Sequence, residues 1–251
     1  MNIRMIRLLG AQVHEMTASD IVNVISESVR DRAKHIVANH NLHSIFLCQG
    51  DPVMRRFYQR SSVCFIDGMP LVILGRLQDP GISCAHRNTS LDWMKLLLPL
   101  AAQNKWRIFY LGSTHENVER GANFLRRLYP GLILETHHGY LGGTHSEMSE
   151  IALTRIRQHE TQILFVGMGM PVQEHWIEAN LERIDSHAIV TMGAYMDYIA
   201  GSVPTPPRFL GRWGLEGIYR LVTEPRRLGR RYLVEPLKLF KLWFLGKLQE
   251  F

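Results

Sequence analysis

Asp67 is the first residue whose type and setting could do chemistry, since it follows the apolar run Val63-Cys64-Phe65-Ile66 and precedes Gly68-Met69-Pro70. A carboxylate at the carboxyl end of a buried strand, on a turn that glycine permits, projects into the crevice where α/β proteins bind ligands. There it could serve as a general base; the same position suits equally an Asp that caps a helix from Pro70 to Leu77. A second candidate is the stretch Gly167-Met168-Gly169-Met170-Pro171-Val172-Gln173-Glu174-His175-Trp176, which reads as a strand end, a double-glycine turn and a helix start. Glycines there let a backbone approach a diphosphate closely, and a helix N-terminus favours its charge. The third glycine of a dinucleotide fingerprint is missing. The turn Leu111-Gly112-Ser113 carries a weaker form of the same signal.

Metal chemistry finds little support. The chain has 12 histidines, but neither His137-His138 nor His35, His40 and His43 falls into zinc-ligand spacing. No Asp-x-Asp motif offers a divalent ion a place beside a nucleotide diphosphate, so countercharge would have to come from Arg, Lys, His, backbone amides and helix dipoles. Cys48, Cys64 and Cys84 stand singly in apolar surroundings, read as core residues and suit a reducing compartment.

Elements able to hold these residues alternate along the first two hundred positions. Short apolar runs at His35–Ala38, Val63–Ile66, Arg107–Gly112, Leu132–Glu135, Gln162–Gly167 and Ala188–Gly193 read as strands. A helix is expected from Leu42 to Tyr58, and another from the cap-like Ser113-Thr114-His115-Glu116 to about Tyr129. The pattern is α/β: a Rossmann-like sheet flanked by helices, its turns gathered at the carboxyl ends of parallel strands. Residues 1–203 form the expected catalytic α/β domain. Pro204, Pro206 and Pro207 then interrupt regular structure, and residues 204–251 form a short basic helical appendage broken at Pro225 and Pro236.

Charge divides the chain the same way. From Thr205 onward there are ten basic and four acidic residues, which is the entire formal excess of +6. The appendage interleaves this charge with Phe209, Trp213, Phe240, Trp243 and Phe244, a combination suited to an anionic membrane surface. No nucleic-acid motif accompanies the charge. The N-terminus lacks a signal-peptide pattern and no apolar run is long enough to span a bilayer, so a cytoplasmic protein, peripheral on the inner face of the plasma membrane, is expected.

Three blocks, Val166–Trp176, Gly193-Ala194-Tyr195-Met196-Asp197-Tyr198-Ile199-Ala200-Gly201, and Gly214–Leu221 with Glu224-Pro225-Arg226-Arg227 and Arg231-Tyr232-Leu233, resemble in order and wording the WecG/TagA/CpsF family of bacterial glycosyltransferases. The resemblance runs from about Leu9 to Leu233. It implies an inverting, metal-independent transfer without cofactor, from a nucleotide diphosphate sugar, UDP-linked by expectation, to a polyprenyl-diphosphate-linked acceptor. Asp67 falls on the family's proposed base. Asn41, with Asn39, resembles the Asn of a Thr-Pro-Asn segment beside it; Arg87, Ser90 and Asp92 resemble an Arg-x-x-Gly-x-Asp segment, and Gln173-Glu174 a Gln-Glu pair near the donor. Arg220, Arg227 and Arg230 or Arg231 resemble arginines that fold over the site and neutralise the departing diphosphate. Gly112, Gly139, Tyr140, Gly167, Gly169 and Asp197 complete the expected substrate-binding set. Asn39-His40 in place of Thr-Pro, Ser90 in place of Gly, and Pro204-Thr205-Pro206 depart from the family pattern.

Two other classes fit parts of the sequence. A nucleotide-dependent oxidoreductase on a doubly wound sheet would need Gly-x-Gly-x-x-Gly on its first strand with an acidic residue about twenty positions on, and the N-terminal third has neither. A non-catalytic membrane-surface adaptor would need only the tail. No residue of the sequence selects the sugar, the acceptor or the oligomeric state.

Overall fold

The computed structural model describes residues 3–205, 210 and 216–251; of Arg227 only the backbone is described. Eight strands form one sheet in the order β1-β2-β4-β3-β8-β7-β5-β6. They are β1 (Met5–Leu8), β2 (Ala11–His14), β3 (His35–His40), β4 (Val63–Ile66), β5 (Arg107–Gly112), β6 (Ile133–His137), β7 (Ile163–Gly167) and β8 (Ala188–Thr191). All neighbours run parallel except the hairpin β1–β2. The central strands are apolar without alternation because helices cover both faces of a parallel sheet. Alternation survives as a choice of face: Leu164 and Val166 enter one core with Phe57, Phe109 and Trp176, while Ile163 and Phe165 enter the other with Phe65, Trp93 and Tyr110.

The helices are α1 (Ala18–Asp31), α2 (Leu42–Gly50), α3 (Pro52–Arg60), α4 (Met69–Gln78), α5 (Ser90–Gln103), α6 (His115–Leu128), α7 (Glu147–Gln158), α8 (Val172–Asn180) and α9 (Tyr195–Ile199). The helix expected over 42–58 is two helices. Asp51 ends α2 and caps α3, its side chain accepting from Val53 N (2.9 Å) and Met54 N (3.2 Å), with Pro52 in the first turn where its missing N–H costs nothing. The expected strands are present within about two residues at their ends, and the β1–β2 hairpin is an addition that periodicity did not signal. Cys48 and Cys64 are buried as expected, whereas Cys84 is exposed on a single 3₁₀ turn, Cys84–His86.

The C-terminal segment continues with α10 (Glu216–Thr223), α11 (Pro225–Gly229), a π-helical turn (Arg230–Val234) and α12 (Glu235–Phe244). Pro225 starts a new helix, as expected. Pro236 does not break one: it lies in the first turn of α12, and the wider π turn just before it closes through Glu235 N to Arg230 O. The expected linker at 204–207 falls partly outside the described residues. The segment is anchored on the body. Leu239 and Leu228 are buried, His43 Nδ1 lies 2.5 Å from the buried Glu235 Oε2, and Phe251 packs against His40 and Tyr58. Phe251 also extends the N-terminal hairpin, donating to Gly10 O (2.9 Å) and accepting from Gln12 N (3.1 Å).

At the carboxyl ends of β5 and β7 the backbones touch. A Cβ on Gly112 would lie 2.2 Å from Gly167 O, one on Gly167 2.0 Å from Tyr110 Oη, and one on Gly139 2.8 Å from Gly112 Cα. These glycines are needed for packing whatever else they do. Gly112→Ala should therefore destabilise the fold by about 1–3 kcal/mol through forced displacement of the β7 end, measured as a lower urea midpoint with unchanged slope.

Candidate active site

Asp67 stands one residue past β4, between Ile66 and a glycine at φ +108°. Gly68, not Asp67, is the N-cap of α4, and no side chain caps that helix. The carboxylate faces inward instead. Its Oδ2 accepts from Asn39 Nδ2 (3.2 Å), near the end of the neighbouring parallel strand β3, and from Asn41 Nδ2 (3.3 Å), the N-cap of α2 just past that strand. Asn39 is fixed in turn, since Thr191 at the end of β8 donates to its Oδ1 (2.9 Å). Burial raises the Asp67 pKa above the ordinary carboxylate value, opposed by the Asn41 hydrogen bond and the charges of Arg220, Arg231 and Arg87.

Two cavities meet at this carboxylate, sharing Asn41, Asp67, Thr89, Glu216, Arg220 and Arg231 as a common wall. The first, about 170 Å³, is the more polar of the two: Asn39, Ser90, Gln173, Thr191 and Tyr198 line it, beside Gly169. The second, about 360 Å³, opens between α4 and the C-terminal segment and is walled by Met69, Pro70, Leu71, Ile218, Leu221 and Leu233. Two cations of the wall thus come from α10 and the π turn, more than 150 residues after Asp67. Arg87 pairs with Glu216 (2.7 Å) and lies 3.8 Å from Asp92, tying the loop before α5 to the start of α10.

Gln173 links two turns. Its Oε1 accepts from Gly169 N and Gly193 N, both at 3.2 Å, while its Nε2 donates to Glu174 Oε1 (2.8 Å). The amide is thereby oriented, and the ends of β7 and β8 are held in register at the first cavity. Glu174 is buried and lines neither cavity; burial pushes its pKa up to about 7.

The expected site residues separate into groups. Asp67, Asn39, Asn41, Ser90, Gly169, Gln173, Arg220 and Arg231 line the first cavity, and Arg87 the second. Asp92 caps α5, accepting from Thr89 N (2.9 Å) and Thr89 Oγ1 (2.7 Å), and so supports the segment that carries Arg87. Gly112, Gly139 and Gly167 pack against one another at the neighbouring strand ends, with Tyr140 exposed there. Asp197 on α9 accepts from Ser113 Oγ and from Asn117 Nδ2 (3.0 Å), holding the turn before α6. Arg230 is exposed and outside both cavities, whereas Arg231 faces in; the side chain of Arg227 lies outside the described residues. Thr89, Asn88, Thr191 and Tyr198 also line the first cavity. Thr191 ends an apolar strand as Asp67 follows one, a signal that could have marked it; nothing local marks Asn88. Among the described residues no group of three or more His, Cys, Asp or Glu side chains is arranged to hold a metal ion.

A parallel α/β sheet with a carboxylate, paired amides and arginines at its carboxyl edge is an arrangement suited to proton abstraction beside an anionic leaving group. The chain belongs to the glycosyl transferase WecG/TagA/CpsF family, whose model matches residues 6–250, and it is accordingly a glycosyltransferase. It is 26% identical over 234 residues to the N-acetylglucosaminyldiphosphoundecaprenol N-acetyl-beta-D-mannosaminyltransferases of Staphylococcus aureus strains NCTC 8325 / PS 47 and MRSA252, covering 89% of each chain.

The Gln173–Glu174 pair yields a direct expectation. Glu174→Gln keeps an acceptor for Gln173 Nε2 and should retain most activity; Glu174→Leu leaves that amide unpaired and should cost about 1–3 kcal/mol of stability and a large part of turnover. Because the folded pKa is raised from 4.5 to about 7, the contribution of Glu174 to stability is fully present below about pH 4.5 and is lost as pH rises through about 7. Urea unfolding across that window should show the decline in wild type and its absence in Glu174→Gln.

Proposed function

We propose that the chain transfers a sugar from a nucleotide diphosphate sugar, UDP-linked, to a polyprenyl-diphosphate-linked sugar, in one inverting step without a metal ion. The observation that carries this reading is Asp67, desolvated between the amides of Asn39 and Asn41 and facing Arg220 and Arg231 at the junction of two cavities. The named relatives act on an undecaprenyl-diphosphate acceptor by their own description, in support of the same acceptor class here.

In this reading the polar cavity takes the donor sugar and the apolar one the acceptor. The acceptor hydroxyl oxygen attacks the anomeric carbon; its proton passes to Asp67, on Oδ1 because both amides occupy Oδ2. The bond from that carbon to the diphosphate oxygen breaks, and its electron pair leaves on the nucleotide diphosphate. Attack from the face opposite the leaving group inverts the centre. Arg220 and Arg231 lie on the wall shared by both cavities and stabilise the charge that develops on the diphosphate. No step requires a cofactor.

Asp67→Asn keeps the shape and both amide neighbours but removes the base, so turnover with a lipid-diphosphate sugar acceptor, read by product mass, should fall by about 10²-fold or more. Turnover near that of wild type would refute the assignment. Because Asp67 must be ionised to accept the proton and burial raises its pKa, activity should fall on the acid side at a pH above the ordinary carboxylate range. Arg220→Gln, which removes an opposing charge, should move that limb to higher pH.

The reading includes peripheral attachment to the inner face of the plasma membrane. Exposed Lys238 and Lys241 lie on α12 with exposed Trp243 and Phe244, a mixture suited to anionic headgroups and the interfacial zone. No described helix is long and apolar enough to cross a membrane. Leu239 and Phe251 are part of the core, so the test is substitution and not truncation. The pair Trp243→Ala and Phe244→Ala should reduce pelleting with anionic vesicles several-fold while leaving the thermal midpoint near that of wild type.

A further inference from the structure

The second cavity does not end at its mouth. Met69 and Pro70 line it, and Ile73 and Leu77 follow at four and eight residues beyond Met69, on the same helical face of α4. They are 55% and 80% exposed, while Leu71, Val72 and Gly75 take the opposite face into the core. At about 1.5 Å per residue the apolar stripe runs roughly 12 Å outward from the cavity. Across the opening stand Ile218 and Leu233 of the C-terminal segment, each 59% exposed.

Isolated apolar residues on a surface are ordinary. Continuity is what distinguishes these: the stripe starts inside a cavity whose inner end carries Arg87, Arg220, Arg231 and Asp67. A cleft that carries three arginines against Asp67 and Glu216 where it meets the first cavity, and is apolar at its outlet, is complementary to an amphiphile with a diphosphate head and a linear hydrocarbon tail. A flat bilayer could not follow the stripe into the cavity.

We propose that the α4 face formed by Met69, Pro70, Ile73 and Leu77 is a prenyl-binding track, holding the first isoprene units of the polyprenyl-diphosphate acceptor beside Asp67. This rests on the acceptor assigned above, and adds to it a lipid site on the α/β body, separate from the bilayer contact of α12. The track orients the acceptor head toward the junction of the cavities and makes the enzyme sensitive to the hydrocarbon as well as to the sugar.

The test is calorimetric binding of farnesyl diphosphate and inorganic diphosphate to the full chain. Wild type should prefer farnesyl diphosphate, and the double variant Ile73→Asn/Leu77→Gln should lose about tenfold of that preference, with Ile73→Val/Leu77→Val retaining it. The ratio of kcat/KM for a long-chain over a ten-carbon prenyl acceptor should fall by a similar factor. An unchanged preference, or an equal loss for both ligands, overturns the track. So does a loss of vesicle pelleting with the preference intact, which would make the stripe a membrane contact. If no acceptor is glycosylated but the farnesyl preference still depends on Ile73 and Leu77, the transfer reading fails and the track stands.

Discussion

Taking a carboxylate out of water raises the free energy of its charged form, and nearby dipoles and cations must offset that rise if it is to stay ionised. Asp67 is such a group, and much of the fold serves to supply its offsets. Parallel pairing of β3 with β4 sets Asn39 opposite Phe65 and His40 opposite Ile66, so both amides reach the residue just past β4. Pairing of β3 with β8 brings Thr191 to fix the Asn39 amide.

The cations come from farther away in sequence, which makes the wall around Asp67 conditional on docking of the C-terminal segment. That docking is built from ordinary core contacts: Leu228, Leu239 and Phe251 are buried, and His43 meets Glu235 beneath the cavity wall. The π turn matters to the outcome. Of the neighbours Arg230 and Arg231, the turn carries Arg231 onto the wall at Asp67 and leaves Arg230 exposed. Arg87 closes the arrangement from the other side through Glu216. Segment and body therefore share a wall, and substrate that fills either cavity touches both.

The parts of this architecture written in local sequence were legible there. Six parallel strands announced themselves as β-branched runs, and Asp67 could be placed at a strand end because Gly68 and Pro70 punctuate the residues after it. Resemblance, not periodicity, singled out the arginines. The features that stayed hidden depend on pairing across distance or on where a single side chain points. The β1–β2 hairpin is four residues on each side and owes part of its order to Phe251 at the far end of the chain. A single helix over 42–58 was the natural reading until the Asp51 cap divided it. Glu174 shows a local limit of the same kind of reading: its neighbour Gln173 faces the cavity, and a one-residue step along the helix turns the Glu174 side chain into the core.

The departures from the family pattern at Asn39-His40 and at Ser90 differ in their consequences. His40 replaces a proline but faces away from the cavities, stacked on Tyr58 with its rings 3.9 Å apart and its pKa pushed by burial down to about 3, so it is a neutral core residue. Asn39 replaces a threonine and uses its amide on Asp67 and its carbonyl on Thr191, so both polar atoms are engaged in holding the carboxylate's partner in place. Ser90 replaces a glycine and is different: it opens α5 on the wall of the polar cavity, where it brings a hydroxyl to the chamber assigned to the donor sugar. In the proposed transfer, reactivity is set behind the carboxylate by Asn39 and Asn41, whereas recognition of the sugar falls to the chamber in front of it. On that proposal a change at position 90 alters the donor chamber and spares the proton transfer, because Ser90 belongs to the start of α5 and the amides that hold Asp67 to the end of β3 and the cap of α2.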